Sequence, residues 1–349
     1  NAMSLSQGVL TVKGGMTSHA AVIARGMGIP CIVGARNVVF KEQEKTIILE
    51  DGNVISEGDE ITIDGSTGAI YLEKVKLRPP ETTSTFSTLL QWADEFCDIK
   101  IRANADTVEE AKVALFYEVD GIGLCRTEHM FTDSNRINLV RQMILTKSNE
   151  ERGSIIERLL PIQKEDFIDL FKEMSSLPVT IRLLDPPLHE FLPNSQEEIQ
   201  RVAKLMGVTE QQLTDHIKDL SEFNPMLGTR GVRLGVMVPE IYDMQVQAIF
   251  LAAIEVFKKY KIVVNPEIMI PLISANKEVD LVRERIKKVF SQLNKNDFVD
   301  LQYKLGVMVE TPRAALRAGD IAKSCDFLSF GTNDLTQMTY GLSRDDSNR

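Results

Sequence analysis

From about residue 98 onward, short apolar runs alternate with longer segments of helical composition, and this alternation constrains the fold more than any other feature. A hairpin cannot join two parallel strands, so strand, helical crossover and strand in succession is the mark of parallel βα units. Six strands are expected, at Ile99–Ala103, Gly121–Cys125, Val179–Leu184, Glu267–Ile273, Leu305–Glu310 and Phe327–Gly331. Several of them end in polar chemistry. Arg126-Thr127-Glu128 follows the second, Asp185 follows the third, Glu310 closes the fifth and Thr332-Asn333-Asp334 follows the sixth. In a (β/α)8 barrel the active site is built at the C-terminal ends of the strands. The expected architecture is therefore an incomplete TIM barrel with its charges where catalysis belongs.

Residues 8–72 read differently, as short β-like runs punctuated by Asp51-Gly52 and by Asp64-Gly65-Ser66-Thr67-Gly68, with a helical stretch after His19. Asp-Gly pairs mark turns between strands, so this part is a small α/β domain. Residues 73–87 are charged and proline-containing, and Pro79-Pro80 stiffens them into an extended spacer or an ordinary surface loop. The division expected is 1–73 for the small domain, 74–97 for a linker and 98–349 for the barrel.

A chain of 349 residues can bury a core in two domains. Its net charge of −10 argues against a nucleic-acid partner, which needs a basic face. Four widely spaced cysteines, with no CxxC pair, suggest reduced thiols. No apolar run approaches the ~20 residues of a membrane span, and the default compartment is the cytoplasm.

Residues 14–34, GGMTSHAAVIARGMGIPCIVG, hold one of only four histidines, His19, where a helix should begin. A neutral imidazole is a good nucleophile near pH 7, and a helix N-terminus stabilises an anion beside it. On the structural alternative, Thr17 or Ser18 is an N-cap and His19 a first-turn residue. The strand-end groups carry the same choice. Arg126 and Arg182 suit phosphate or carboxylate oxygens, Glu310 and Asp334 suit a hard cation such as Mg²⁺, and Arg230 adds a further cation. Alternatively the arginines are ion-pair partners, Glu310 belongs to a cap formed with Thr311-Pro312, and Asn333-Asp334 cap a helix beginning near Leu335.

Several strings together tip that choice. GMTSHAA (Gly15–Ala21), GLCRTEHMF (Gly123–Phe131), VTIRLLDPPLHEFLP (Val179–Pro193), NPMLGTRG (Asn224–Gly231), VETPRAAL (Val309–Leu316) and FLSFGTNDLTQM (Phe327–Met338) resemble the phosphoenolpyruvate-utilising enzymes. The resemblance implies a swivelling phosphohistidine domain followed by a barrel that binds phosphoenolpyruvate and pyruvate. It implies His19 as phosphoryl carrier and Arg126, Arg182 and Arg230 as phosphate-side cations. Glu310 and Asp334 become Mg²⁺ ligands, and Gly331, Thr332 and Asn333 join them as substrate contacts. Thr17 matches a threonine phosphorylated for regulation in plant relatives.

The strings are most similar to the branch that interconverts ATP, phosphate and pyruvate with AMP, pyrophosphate and phosphoenolpyruvate. In that branch a nucleotide-binding domain precedes the histidine domain, and two further strands, one with a catalytic cysteine, complete the barrel; the intact protein is expected to be a homodimer. Cys325 lies outside that cysteine's motif. Thr229, where many relatives have histidine, departs from the pattern. Six strands without the last two leave edges that invite association. The alternatives are a synthase that uses water in place of phosphate and a sugar-transport enzyme whose histidine passes its phosphoryl group to a partner protein. The Leu184–Phe191 string and the polar helical insertion at 194–223 favour the first branch.

Overall fold

A computed structural model describes residues 6–15, 18–26, 28–76, 84–131, 134–146, 148–221, 226–297 and 301–342. The chain divides into two compact units, the first taking in residues up to Cys97 and the second Asp98–Arg344. In the first, β1 (Val9–Leu10) pairs in parallel with β2 (Cys31–Ile32) across α1 (His19–Gly26). Strands β3 (Val39–Lys41), β4 (Thr46–Ile48) and β5 (Val54–Ser56) form an antiparallel meander, and β6 (Thr62–Asp64) and β7 (Ala69–Tyr71) form a hairpin. Both Asp-Gly turns form, and each aspartate side chain accepts a nearby N–H: Asp51 from Asn53 at 3.0 Å and Asp64 from Ser66 at 2.8 Å. Helix α2 (Ser84–Phe96) occupies part of the stretch expected to be extended spacer. That segment, STFSTLLQWADEF, contains neither proline nor glycine, so nothing in it breaks a helix. Pro79-Pro80 lies outside the described residues.

Among its described residues the second unit holds six parallel strands: β8 (Ala103–Asn104), β9 (Ile122–Arg126), β10 (Val179–Arg182), β11 (Pro266–Ile270), β12 (Lys304–Val309) and β13 (Phe327–Phe330). They lie in chain order, with β8 and β13 at the edges. The helices between them are α3 (Val108–Phe116), α4 (Ser134–Leu145), α5 (Asn149–Met174), α6 (Gln196–Met206), α7 (Glu210–Leu220), α8 (Val232–Met237), α9 (Pro239–Tyr260) and α10 (Asn276–Asp297). After β12 come the short α11 (Pro312–Leu316) and α12 (Ala318–Ile321), and after β13 comes α13 (Thr332–Tyr340). Helix α5 packs against α9, and the rings of Phe167 and Phe171 stack at 6.1 Å on its buried side. Every residue of β11 is buried, as expected of a parallel strand covered on both faces. The polar insertion is the helical pair α6 and α7.

All six expected strands exist, with shifted ends. β8 is shorter than expected because Ile99 and Ile101 are exposed and the approach to the strand is held by Asp120, whose carboxylate accepts the Ile101 N–H at 2.9 Å. β11 stops at Ile270 because Pro271 has no N–H to donate. Asn333 and Asp334 do not cap a helix starting at Leu335: α13 begins at Thr332, with Gly331 in the cap position and no side-chain cap. Nor is Glu310 part of a cap. Thr311 caps α11 by accepting the Ala314 N–H at 3.1 Å, and Pro312 takes the first turn.

The sheet curls. Arg102, just before β8, reaches Glu267 on β11 at 2.5 Å although three strand spacings separate them, roughly 14 Å across a flat sheet. Thr180 and Glu267 are register partners, as are Glu267 and Lys304, so they share the inner face and form one layer at the N-terminal end. Two residues further along, Arg182, Met269 and Gly306 form the next layer, and Met308 and Glu310 continue the same face of β12. The four cysteines are free thiols. No helix among the described residues is long and apolar enough to cross a membrane.

Candidate active site

Three guanidinium groups stand at the C-terminal ends of the strands, each beside carboxylates. Arg126 ends β9 and Arg182 ends β10, and the two are register partners on adjacent strands. Arg182 Nη2 donates to Glu128 Oε1, while its Nη1 lies 3.1 Å from Asp185 Oδ2. Arg230, on the loop before α8, donates to the same Asp185 oxygen at 2.6 Å and lies 3.2 Å from Asp334 on α13. Asp185 therefore joins two of the three arginines. Burial works against the charge on Arg182, yet Asp185, Glu128 and Glu310 hold it firmly protonated. Arg230 is held in the same way by Asp185 and Asp334.

Glu310, almost fully buried just beyond β12, faces this cluster from the opposite side in charge. Burial, reinforced by Asp185 and Asp334 and opposed by Arg182, pushes its carboxyl up to about 7. Its Oε1 accepts the Leu272 N–H at 2.7 Å, and Leu272 takes a left-handed φ of +54° to present that N–H. The backbone leaves room for little else. A Cβ on Gly331 would stand 2.4 Å from Glu310 Oε2. Gly231, at φ +55°, donates its N–H to the Asp185 carbonyl at 2.8 Å, and a Cβ there would meet Leu272 Cβ at 2.6 Å.

Among the described residues, four buried polar atoms of this cluster have no hydrogen-bond partner: Glu128 Oε2, Arg182 Nε, Asp185 Oδ1 and Arg230 Nε. Buried polar atoms are ordinarily paired, and a group of unpaired ones at one place marks where a polar ligand completes the structure. The arrangement can hold a small polyanion between cationic forks and offer carboxylate oxygens to a hard cation.

Elsewhere the expected residues are less closely joined. Thr332 and Asn333 are exposed on the first turn of α13. His19 is the first residue of α1, with Ser18 Oγ accepting the Ala21 N–H at a long 3.4 Å, so Ser18 does act as an N-cap. The His19 side chain and the whole of Thr17 lie outside the described residues.

Residues 80–349 match the family described as PEP-utilising enzyme, PEP-binding domain, and residues 1–68 match PEP-utilising enzyme, mobile domain. The chain belongs to the PEP-utilising enzymes. Over 99% of its length it is 49% identical to a pyruvate, phosphate dikinase of Rickettsia prowazekii. It is 47% identical to one of Clostridium symbiosum and to the chloroplastic pyruvate, phosphate dikinase 1 of Arabidopsis thaliana, again over 99% of its length. The chain spans 39%, 40% and 36% of those three relatives.

Within this PEP-utilising barrel the structure adds residues that sequence reasoning did not place in the site. Glu128 and Asp185 were visible as strand-end charges, and their role as partners of Arg182 follows only from geometry. Tyr242 and Gln245, both fully buried on α9, clamp the chain just before Asp185: the Tyr242 hydroxyl donates to the Leu184 carbonyl at 3.0 Å, and Gln245 accepts the Leu184 N–H at 2.8 Å. Two polar residues one turn apart on an otherwise apolar helix face were the signal that could have found them.

Proposed function

We propose that this chain carries the phosphohistidine and the phosphoenolpyruvate/pyruvate half of an enzyme that interconverts ATP, phosphate and pyruvate with AMP, pyrophosphate and phosphoenolpyruvate. The observation that carries this reading is the set of three arginines, Arg126 and Arg182 at strand ends and Arg230 on the loop before α8, interleaved with carboxylates, with unpaired buried polar atoms among them. Near-50% identity to dikinases over almost the whole chain supports it.

Phosphoryl transfer asks a protein for positioning and charge neutralisation more than for covalent chemistry. Arg126 and Arg182 hold the phosphoryl oxygens of phosphoenolpyruvate in their planar forks, and Arg230 neutralises charge beside them. As the phosphoryl group moves to the His19 imidazole, the bridging P–O bond breaks, its electron pair stays on the enolate oxygen and an N–P bond forms. The fixed guanidinium groups stabilise the charge left behind. Protonation of the enolpyruvate carbon is assigned to no residue of this chain. In the reverse direction the same groups orient enolpyruvate toward the phosphohistidine.

Glu310 and Asp334 are the residues that would hold Mg²⁺, an ion that ordinarily takes one or two protein carboxylates and completes its shell with water and substrate. A carboxyl pushed up to about 7 beside two other carboxylates is a group that a divalent cation would keep ionised. When bound, the ion supplies Lewis-acid stabilisation of the enolate oxygen.

The test is an assay of the intact gene product. Pyrophosphate formation that requires both phosphate and pyruvate is the expected result. Phosphoenolpyruvate made from pyruvate without added phosphate would assign the chain to the water-using branch, and transfer to a small phosphocarrier protein would assign it to sugar transport. Cytoplasmic location and a homodimer belong to the same reading and are checked by fractionation and by light scattering.

A further inference from the structure

We propose that Asp106, at the C-terminal end of the first barrel strand, is a positioning residue that presets Arg126 for phosphoenolpyruvate; the proposal rests on the function argued above. Strand β8 contributes no group to the cluster of Arg182, Arg230, Glu310 and Asp334, and Asp106 is its contribution. The residue is only 8% exposed, and both of its carboxylate oxygens are engaged. Oδ1 accepts the backbone N–H of Arg126 at 2.6 Å. Oδ2 lies 3.1 Å from Arg126 Nη1 and 2.7 Å from His129 Nδ1. Burial works against its charge, but these bonds from His129 and Arg126 hold the carboxyl below its ordinary value, so Asp106 stays ionised.

Asp106 is itself anchored. Its N–H donates to Glu110 Oε2 at 2.7 Å, and Thr107 caps α3 by accepting the Glu110 N–H at 3.2 Å. The carboxylate is thus fixed on a short, doubly tied loop and grips Arg126 at its backbone and at its side chain together.

The other two arginines show what such a grip is for. Arg182 sits between Glu128 and Asp185, and Arg230 between Asp185 and Asp334. Each has its guanidinium plane set by carboxylates before any ligand arrives. Arg126 is the most exposed of the three, with about a third of its side chain accessible, and Asp106 is the carboxylate that orients it. A free arginine loses much of its rotamer freedom when it is immobilised. A guanidinium already held in place loses less on binding its ligand. Asp106 touches Arg126 and His129 and acts on substrate through Arg126 alone.

The experiment is the rate of labelling of His19 by phosphoenolpyruvate in the intact gene product, followed as a function of phosphoenolpyruvate concentration. Asp106→Asn keeps the size and an acceptor for the Arg126 N–H but loses the charge. It is expected to raise the half-saturating concentration about tenfold and to leave the saturated rate within about threefold of wild type. A structural role alone would reduce the amount of active protein, and with it the saturated rate, without moving half-saturation. Should Asp106→Asn not fold, Asp106→Glu, which keeps the charge and displaces it by one methylene, is expected to move half-saturation the same way by about threefold. Unchanged half-saturation in whichever variant folds overturns the proposal. A wild-type protein that takes no label from phosphoenolpyruvate contradicts the proposed function itself, and that result precedes any comparison of variants.

Discussion

At the scale of single residues, the charged strand ends were legible because a polar group directly after an apolar run has few places to go in a parallel barrel. Arg126, Arg182, Glu310 and Asp334 all stood out in this way. What the sequence could not show was how the groups pair. That Asp185 bridges two arginines, or that Leu272 adopts a left-handed backbone to aim its N–H at Glu310, depends on contacts between distant segments. Gly331 is the sharpest example. Its need for a bare Cα comes from the Glu310 carboxylate packed against it, so Gly331→Ala must displace that carboxylate. The change is expected to cost about 1–3 kcal/mol of stability and to slow labelling of His19 by phosphoenolpyruvate about tenfold or more. Denaturant melts and labelling rates check the two parts. The pair of His129 and Asp106 carries a pH signature. His129 is raised above its usual 6.5 by its hydrogen bond to Asp106, against the opposing effect of burial. Its stabilising contribution is complete below 6.5 and is lost as pH rises through the raised folded value. Asp106, held low, contributes above its ordinary 3.8 and loses that contribution as pH falls through its folded value. The urea midpoint of wild type should therefore exceed that of His129→Asn at about pH 6, and the gap should shrink by about pH 9. A gap of equal size at both would show that the ion pair does not contribute.

At the scale of elements, the alternation of apolar runs and helical segments located each of the six described strands of the second unit, and for these strands the errors lay at the ends. Those ends are set by features that periodicity does not carry, such as Pro271 closing β11 and Asp120 holding the approach to β8. Helix α2 was missed because the prolines before it colored the reading of the whole segment. Helix α13 starts earlier than its polar residues suggested, which turns Asp334 from a cap into a first-turn carboxylate facing Arg230. Thr311 shows how one cap serves the site. It caps α11, and its hydroxyl donates to the Ile273 carbonyl at 3.1 Å, tying the segment after Glu310 to the loop that follows β11. Thr311→Val keeps the bulk and removes both bonds, and a loss of about 1–2 kcal/mol is expected in urea unfolding. A loss below about 0.3 kcal/mol would mean that neither bond holds the Glu310 segment.

At the scale of the whole molecule, the proposed function gives the two units different parts of one reaction. The small unit places His19 at the start of a helix, and the barrel unit assembles cations and carboxylates at its strand ends. The family assignment covers both units, and the small unit's place in it was legible chiefly from the string around His19. Its short strands and Asp-Gly turns are shared by many small domains. The chain spans 36% to 40% of the length of the relatives compared, and the full cycle is a proposal to be tested on the intact gene product. The measurement closest to the central claim is exposure of that protein to phosphoenolpyruvate labelled in its phosphoryl group, followed by mapping of the label. The account predicts one acid-labile, base-stable phosphoryl group on His19, absent in His19→Asn and reduced at least about tenfold in Arg182→Ala. Label on any other residue, or undiminished labelling of His19 without Arg182, would contradict it.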